Sequence, residues 1–576
     1  MILYNEKKEL IFWFMISVLV VLRMVMVSDV NLAIYYTPHD GSLYLTRAFH
    51  LLTDGTFGPY NSTTLLKAPG ISLWIAFMRW FGVPYMLSIN LIHIISSLYL
   101  IGALRRTGID PLALLVTFAL LLFNSVVFGS EWFALGREPL DLSLSILLVA
   151  SMLFIMTNTP TRRALWIHGL IVVSSFTLLL FLREENVLLW SFLFVAVMLG
   201  IWQAVLDAEQ ISWKHPMLVV GLVTAMTSGI CHYGLTRMID RTYGLPIIND
   251  FSEGEFPKFI AAMRSASGRQ VNPYISITQE ALGDVAQVVP MVAPLFAQMP
   301  SPPTIGSYYH KRWGVSDEWP NSHIFLWIKD ASIGGAGITP TLPTAQAYFK
   351  NARQNIEQAC QDGRLKCVPS GSGMFPPLRY EWIPQLGSEM LSILKLIRNP
   401  PNSVIQESYI LPVQQNDSLS GEDAITLGRQ YQVAALNSFD SLYQWKITPP
   451  KSDTSLQATK DQVYSDLMDN KSLYRSPLLK WRQSVINFNW TSMIFVLLGL
   501  GATIALVLFT KLRDFNPVLL VALSFLSMVC VKIFVLGYVS VYMGAPDHRL
   551  FYSTHIILMA LAPSLLYISM KKLFKI

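Results

Sequence analysis

The sequence predicts a polytopic α-helical membrane protein of about ten transmembrane helices, with further helices lying at the membrane surface. It also predicts one large extracytoplasmic domain, mixed α/β or mostly α. Three observations lead there. Hydrophobic residues fill 52% of the 576 positions and charged residues only 14%, with mean hydropathy +0.43, whereas soluble domains carry roughly a quarter charged residues. Apolar runs long enough to cross a bilayer recur along the chain. Basic residues mark every second connection between those runs.

The runs, in order, are Ile11–Val27, Pro84–Leu104, Leu112–Phe128, Leu140–Thr157, Ala164–Leu182, Val187–Leu206, Met217–Leu235, Ser492–Thr510, Val518–Val541 and Phe551–Met570. No small-residue cleavage site follows the first, so it is read as a retained span. With Lys7 and Lys8 placed in the cytoplasm, the inner connections carry Arg105 and Arg106, Arg162 and Arg163, Lys214, Lys511 and Arg513, and finally Lys571, Lys572 and Lys575. Every cytoplasmic end is then basic, both termini are cytoplasmic, and the long polar stretch after the seventh run is outside. This organisation gives residues 1–235 as an N-terminal transmembrane part with a first outer loop at 28–83. Residues 236–490 form an extracytoplasmic domain and 491–576 the last transmembrane helices. A bacterial inner membrane, with the large domain in the periplasm, is the expected location.

Two shorter segments do not fit the spanning pattern. Ile71–Phe81, "ISLWIAFMRWF", is too short to cross, and counting it as a span would put Arg105 and Arg106 outside; it reads as an interfacial or re-entrant helix. Leu45, Ala48, Phe49 and Leu52 recur at helical spacing, which predicts an amphipathic helix over 42–53 lying on the membrane, with Asp40 or Ser42 as its cap.

Of the four cysteines, Cys231 and Cys530 fall in apolar spans. Cys360 and Cys367, in "ACQDGRLKC", lie in the polar segment at a spacing that suits a small disulfide loop and lacks the CxxC form of a zinc or redox site. A disulfide there agrees with an oxidising compartment. The helix just before it would bury Tyr348, Phe349, Ile356 and Ala359. The net charge of +6 comes without any basic run, which sets nucleic-acid binding aside.

Charge concentrates at the outer boundary: His39, Asp40, Lys67, Glu131, Arg137, Glu138, Arg183, Glu184, Glu185, Asp547, His548 and Arg549, with Lys532 inside the ninth run towards its outer end. Ionisable groups at membrane depth are costly and usually face a cavity or a partner. Taken singly, each has a plain alternative as a solvated or snorkelling flank residue. Together they describe a polar site that handles an anion and an acid–base step.

Several of these residues sit in motifs. "HDGSLYLTRAFHLLTDG", an acid just past the first span followed by an amphipathic helix, resembles the first outer loop of the polyprenyl-phosphate-dependent glycosyltransferases of the GT-C superfamily, which include protein O-mannosyltransferases and aminoarabinose transferases. "LLKAPGISLWIAFMRWFG" is similar to their Lys-Pro-Pro-type motif and interfacial helix, with Ala68 in place of the first proline. "GREPLDLSL" offers Glu138 as the second acid, and "GAPDHRLFYSTHIILMALAP" resembles the Arg-Tyr-type motif before a final span, with Leu550 and Phe551 departing from it. The likeness covers roughly the first 190 residues and the last 40; residues 236–490 match no domain of that superfamily.

The resemblance implies a GT-C-like fold. It also implies transfer, with inversion, of a sugar from a polyprenyl-phosphate donor to an extracytoplasmic glycan, lipid or protein. Asp40 would be the base and Glu138 the second acid. A phosphate leaving group needs cations more than a proton donor, which assigns Lys67, Arg183, Arg549 and Lys532 to it, with His39, Arg137, Glu184, Glu185 and His548 as accessory groups. The alternatives stay open: Asp40 as a helix cap, Lys67 as a snorkelling lysine, Glu138 as the salt-bridge partner of an outer-face arginine. No cofactor is required by the sequence. A divalent metal stays open, although no HxxxH-type spacing supports one. Two other classes share the spans: a membrane sensor or scaffold with an outer binding domain, and a transporter or flippase of lipid-linked sugar. The first does not need an acid and a lysine bracketing an interfacial helix; against the second, no internal repeat is visible and the charges sit at one face rather than the middle.

Overall fold

The computed structural model describes residues 2–28, 41–133, 135–157, 162–206, 216–266, 275, 277–299, 318–319, 321–335, 340–369, 379–398, 481, 484–485, 489–509, 517–543 and 548–574. Among the described residues there are helices and turns but no strand, so the mixed α/β option for the outer domain gives way to the mostly α one.

The chain opens with α1 (Ile2–Val27). The amphipathic segment follows as α2 (Gly41–Thr53) and the short apolar one as α3 (Gly70–Trp80). A Cβ on Gly70 would lie 2.5 Å from the Phe181 carbonyl oxygen, so only glycine lets α3 start this close to the neighbouring helix end. Then come α4 (Tyr85–Arg106) and α5 (Pro111–Leu122), the latter started by Pro111 and by the Asp110 side chain, which accepts the Leu112 N–H.

Helix α5 departs from expectation. The run Leu112–Phe128 does not form one span, because α5 ends at Leu122 after 12 residues, about 18 Å of rise against a hydrocarbon layer of about 30 Å. Asn124 stops it: its Nδ2 donates to the Leu120 and Leu121 carbonyls, and its Oδ1 accepts from Val126 and Val127 N–H. Periodicity did not reveal the break because, Ser125 apart, the residues flanking Asn124 are apolar. After a 3-10 turn (Val126–Phe128) and a single helical turn, α6 (Ser130–Phe133), the chain enters α7 (Glu138–Met156).

Next come α8 (Arg162–Leu182), α9 (Leu189–Leu206) and α10 (Pro216–Tyr243). The last three long helices are α17 (Asn489–Phe509), α18 (Pro517–Met543) and α19 (Tyr552–Phe574). Among the described residues, eight helices are long and apolar enough to cross a membrane, making this an integral membrane protein. The expected run Ser492–Thr510 lies on α17, whose apolar core Ile494–Ile504 is shorter than those eight.

Between α10 and α17 the described chain builds a second core. It involves α11 (Phe256–Ala266), α12 (Gln279–Val288), α13 (Ala293–Ala297), α14 (Asn321–Asp330) and α15 (Leu342–Gln361). Phe256 and Phe349 meet edge to face at 5.0 Å in its centre. Phe349, Ile356 and Ala359 are fully buried, as the periodicity of α15 predicts, and Tyr348 is half-buried with its hydroxyl on the Met291 carbonyl. Trp319 packs into this core too. Cys360 and Cys367 form a disulfide with Cα atoms 5.4 Å apart, closing the chain after α15. A further amphipathic helix, α16 (Ile383–Arg398), leaves this unit and sinks Ile393 and Ile397 into the core of the transmembrane bundle against α18.

Candidate active site

The polar centre forms where α7 and α9 begin and α8 ends, beside Lys532 in the second half of α18. It starts with α2. Arg47, fully buried, donates from Nη1 to the Lys67 carbonyl at 2.9 Å and from Nη2 to the Thr64 carbonyl at 2.6 Å. Burial pulls its guanidinium down to about 10, opposed by Tyr44, Glu184, Tyr243 and Asp250. This grip fixes the chain ahead of α3 so that the Ala68 N–H points at Glu184, 2.6 Å from Oε1. Lys67 is half-buried at the same bend and already engaged with neighbouring groups.

The other oxygen of Glu184 accepts from Arg137 at 2.8 Å. Burial works against the Arg137 charge, but Tyr44, Glu184, Glu185 and Glu138 more than offset it and hold the guanidinium above its usual range. Arg183 bridges two helices: Nη1 lies 3.5 Å from Glu138 Oε1, and Nε 2.5 Å from Glu185 Oε1, a charge contact whose N–H is not aligned on the oxygen. One turn into α7, Asp141 accepts from Asn186 Nδ2 at 2.8 Å, and the same amide also donates to the Leu179 carbonyl. Lys532 of α18 completes the cluster, within electrostatic range of Asp141, Glu185 and Arg183.

Lys532 differs from the other cations. Its side chain is buried, and its Nζ stands 5.7 Å over the Phe551 ring, yet among the described residues it makes no hydrogen bond or ion pair. The surroundings are not a bulk basic patch: Arg137, Arg183 and Lys532 face Glu138, Asp141, Glu184 and Glu185.

Thus Glu138, Arg137, Arg183, Glu184, Glu185 and Lys532 come together, with Lys67 a residue away from the Ala68–Glu184 contact. Glu138 is held in the salt bridge that the sequence left as its alternative role. His39 and Asp40 lie outside the described residues. His548 and Arg549 sit in a 3-10 turn, His548–Phe551, leading into α19. Two members were missed by sequence reasoning. Asp141 sits in the apolar run taken for a span, and its position one turn after Glu138 was the available signal. Arg47 lies on the polar side of α2, and nothing local marks it as buried. Among the described residues no group of three or more His, Cys, Asp and Glu is arranged to hold a metal.

The centre is tied to the outer helical unit. Tyr60 donates to Asp250 Oδ2 at 3.2 Å, the Asp250 N–H bonds the Leu65 carbonyl at 3.1 Å, and Lys329 of α14 pairs with Asp250 Oδ1. Burial lowers the Lys329 ammonium, with Asp250 opposing, and burial followed by the Asp250 charge raises the Tyr60 phenol.

Comparison with known proteins adds one structure. No family model matches the sequence and no curated protein matches it. The crystal structure of ArnT from Cupriavidus metallidurans bound to undecaprenyl phosphate aligns over 94% of this chain and 87% of its own, at 10% identity and a TM-score of 0.30. An alignment that loose does not establish a shared fold, and the reading below rests on the site and the sequence motifs alone.

Proposed function

We propose that the protein is a membrane glycosyltransferase that takes a sugar from a polyprenyl-phosphate donor to an extracytoplasmic acceptor. The observation that carries this is Lys532, a buried ammonium left without an ion pair among carboxylates and arginines that are paired with one another. A ligand phosphate supplies the missing partner, and the donor's prenyl chain stays in the bilayer. The motifs of the first outer loop and of the stretch before α19 support the same chemistry.

In the reaction the acceptor hydroxyl or amine attacks the anomeric carbon. The bond from that carbon to the phosphate oxygen breaks, and the lipid phosphate leaves with the electron pair. Asp40 takes the acceptor proton, and inversion follows from a single displacement. Lys532, with Lys67 and Arg549 as further cations, stabilises the phosphate. Arg183 and Arg137 hold Glu138, Glu184 and Glu185 in place around it. The acceptor is a glycan, lipid or protein reached from the side of the outer helical unit.

The test is equilibrium binding and transfer with a radiolabelled polyprenyl-phosphate sugar in detergent–lipid micelles. Lys532→Met removes one charge-assisted contact and should weaken lipid binding by about tenfold to a hundredfold. Asp40→Asn should bind normally while turnover falls by about two to four orders of magnitude, the range for a lost general base. Unchanged lipid affinity in Lys532→Met would remove Lys532 from the site. Saturable binding with no transfer to any acceptor in a membrane extract would favour a transporter of the same lipid.

A further inference from the structure

A second polar group lies deeper in the bundle. Arg23 of α1 is fully buried, four residues before the end of a span in which Ser17 is the other polar residue. Among the described residues it has no carboxylate partner. Its Nη2 donates to Asn90 Oδ1 at 2.9 Å and to the Val127 carbonyl at 3.1 Å, and its Nη1 to the Leu122 carbonyl at 3.4 Å. The guanidinium lies 4.3 Å over the Phe128 ring. His93 of α4, also fully buried, donates from Nε2 to the Leu121 carbonyl at 3.0 Å and meets the Trp132 ring edge on at 4.9 Å.

Asn90 of α4 apart, these acceptors are backbone carbonyls of the broken end of α5 and the turn after it. A helix that stops inside a membrane leaves its last carbonyls without partners, and no water is there to take them. Here the accounting closes. Leu120 is taken by Asn124, Leu121 by Asn124 and His93, and Leu122 by Arg23. The partial negative charge at the end of α5 stands in for the missing carboxylate. Two side chains from α1 and α4 therefore cap a third helix. The chain they release at that depth is packed, not lipid-exposed: Phe128, Trp132, Phe133 and Leu135 are all buried. It ends at Gly136, whose carbonyl accepts from the Tyr85 hydroxyl at 2.8 Å, and at Arg137, on Glu184.

We infer that Arg23 and His93 are positioning residues: by capping α5 within the bundle they seat the arm 123–137, and so place Arg137 and Glu138 in the charged centre. The seating stands on the geometry alone. Its consequence for phosphate binding rests on the proposed function.

The test separates the two. In full-length protein with Cys231→Ser and Cys530→Ser and the disulfide intact, Leu135→Cys reports the arm through maleimide labelling. The thiol should be shielded with Arg23 and His93 present, and labelled at least tenfold faster with Arg23→Met or His93→Leu. His93→Gln keeps an N–H for the Leu121 carbonyl and should restore shielding. Arg23→Lys keeps the charge but not the fork, and should restore it in part. Leu506→Ala, a core deletion in α17 chosen for a similar loss of melting temperature, should leave the thiol shielded; labelling there as fast as in Arg23→Met would mean general loosening and overturn the inference. Equal shielding in folded Arg23→Met and His93→Leu would overturn it as well. Polyprenyl-phosphate binding is measured on the same variants. Weakened affinity in Arg23→Met, rescued in step with shielding, extends the inference to the site. A wild type that binds no phosphate lipid refutes the proposed function and leaves the labelling result standing on its own.

Discussion

Arg23 and Arg183 are both buried arginines, and they are held in opposite ways. Arg23 is surrounded by carbonyls, an amide and aromatic rings; Arg183 lies between Glu138 and Glu185. Carbonyl dipoles are fixed in the backbone and have nothing else to bind, so the first arrangement is rigid. Carboxylates carry full charge and can be shared with a ligand or a neighbouring cation, so the second can rearrange when an anion enters. For an arginine inside a membrane protein, the partner type separates a fixed structural cation from one in a charge cluster that can rearrange.

The largest effect that tests this contrast is at Arg183. Arg183→Leu leaves Glu138 and Glu185 buried without their cation and should cost about 3–5 kcal/mol, seen as a large drop in melting temperature. Adding Glu185→Leu should recover part of that loss. If Arg183→Leu alone melts like the wild type, the carboxylates have other partners and the contrast with Arg23 fails.

Lys532→Met should move stability the other way. A buried ammonium without a hydrogen bond is a cost to the fold, so removing it should be neutral or stabilising by about 1 kcal/mol, while on the proposed function the same variant binds the lipid phosphate less tightly. A clear destabilisation would show that Lys532 is structural in the manner of Arg23.

The smallest effect belongs to the outer helical unit, where charge is held near water. Burial pulls the Glu255 carboxyl up, but hydrogen bonds from Lys258 and Arg353 outweigh it and hold it below its ordinary value of 4.5. A depressed carboxyl contributes stability above its unfolded value and loses it as pH falls through its folded value. The melting temperature of wild type should therefore exceed that of Glu255→Gln by an amount equivalent to about 0.5–1 kcal/mol at pH 7, with the gap closing below pH about 4. A gap that persists in acid would point to packing, not charge.

Much of this was legible in the sequence, and the reasons are local. Burial in hydrocarbon demands long apolar helices, so most spans follow from hydropathy. The buried face of α15 follows from its period, and the Cys360–Cys367 bond from short spacing in a polar segment. The concentration of charge at one set of helix ends was visible as well. What stayed hidden depended on neighbours. Arg23 and His93 read as isolated polar residues in apolar runs until α5 stops beside them. The stop itself hinges on Asn124, one residue in a run whose hydropathy is otherwise continuous. That α16 would leave the outer unit for the transmembrane core was equally unmarked.

The sequence by itself determined that the chain holds several membrane-spanning helices, which stretches carry the charge, and that short amphipathic helices follow the first span, because those properties depend on each segment's own composition and period. Only the tertiary structure decided which charges pair, which lysine stays unpaired and what holds a broken helix inside the bundle. Ion pairs and caps act over a few ångströms, between residues that the chain places far apart and packing brings together.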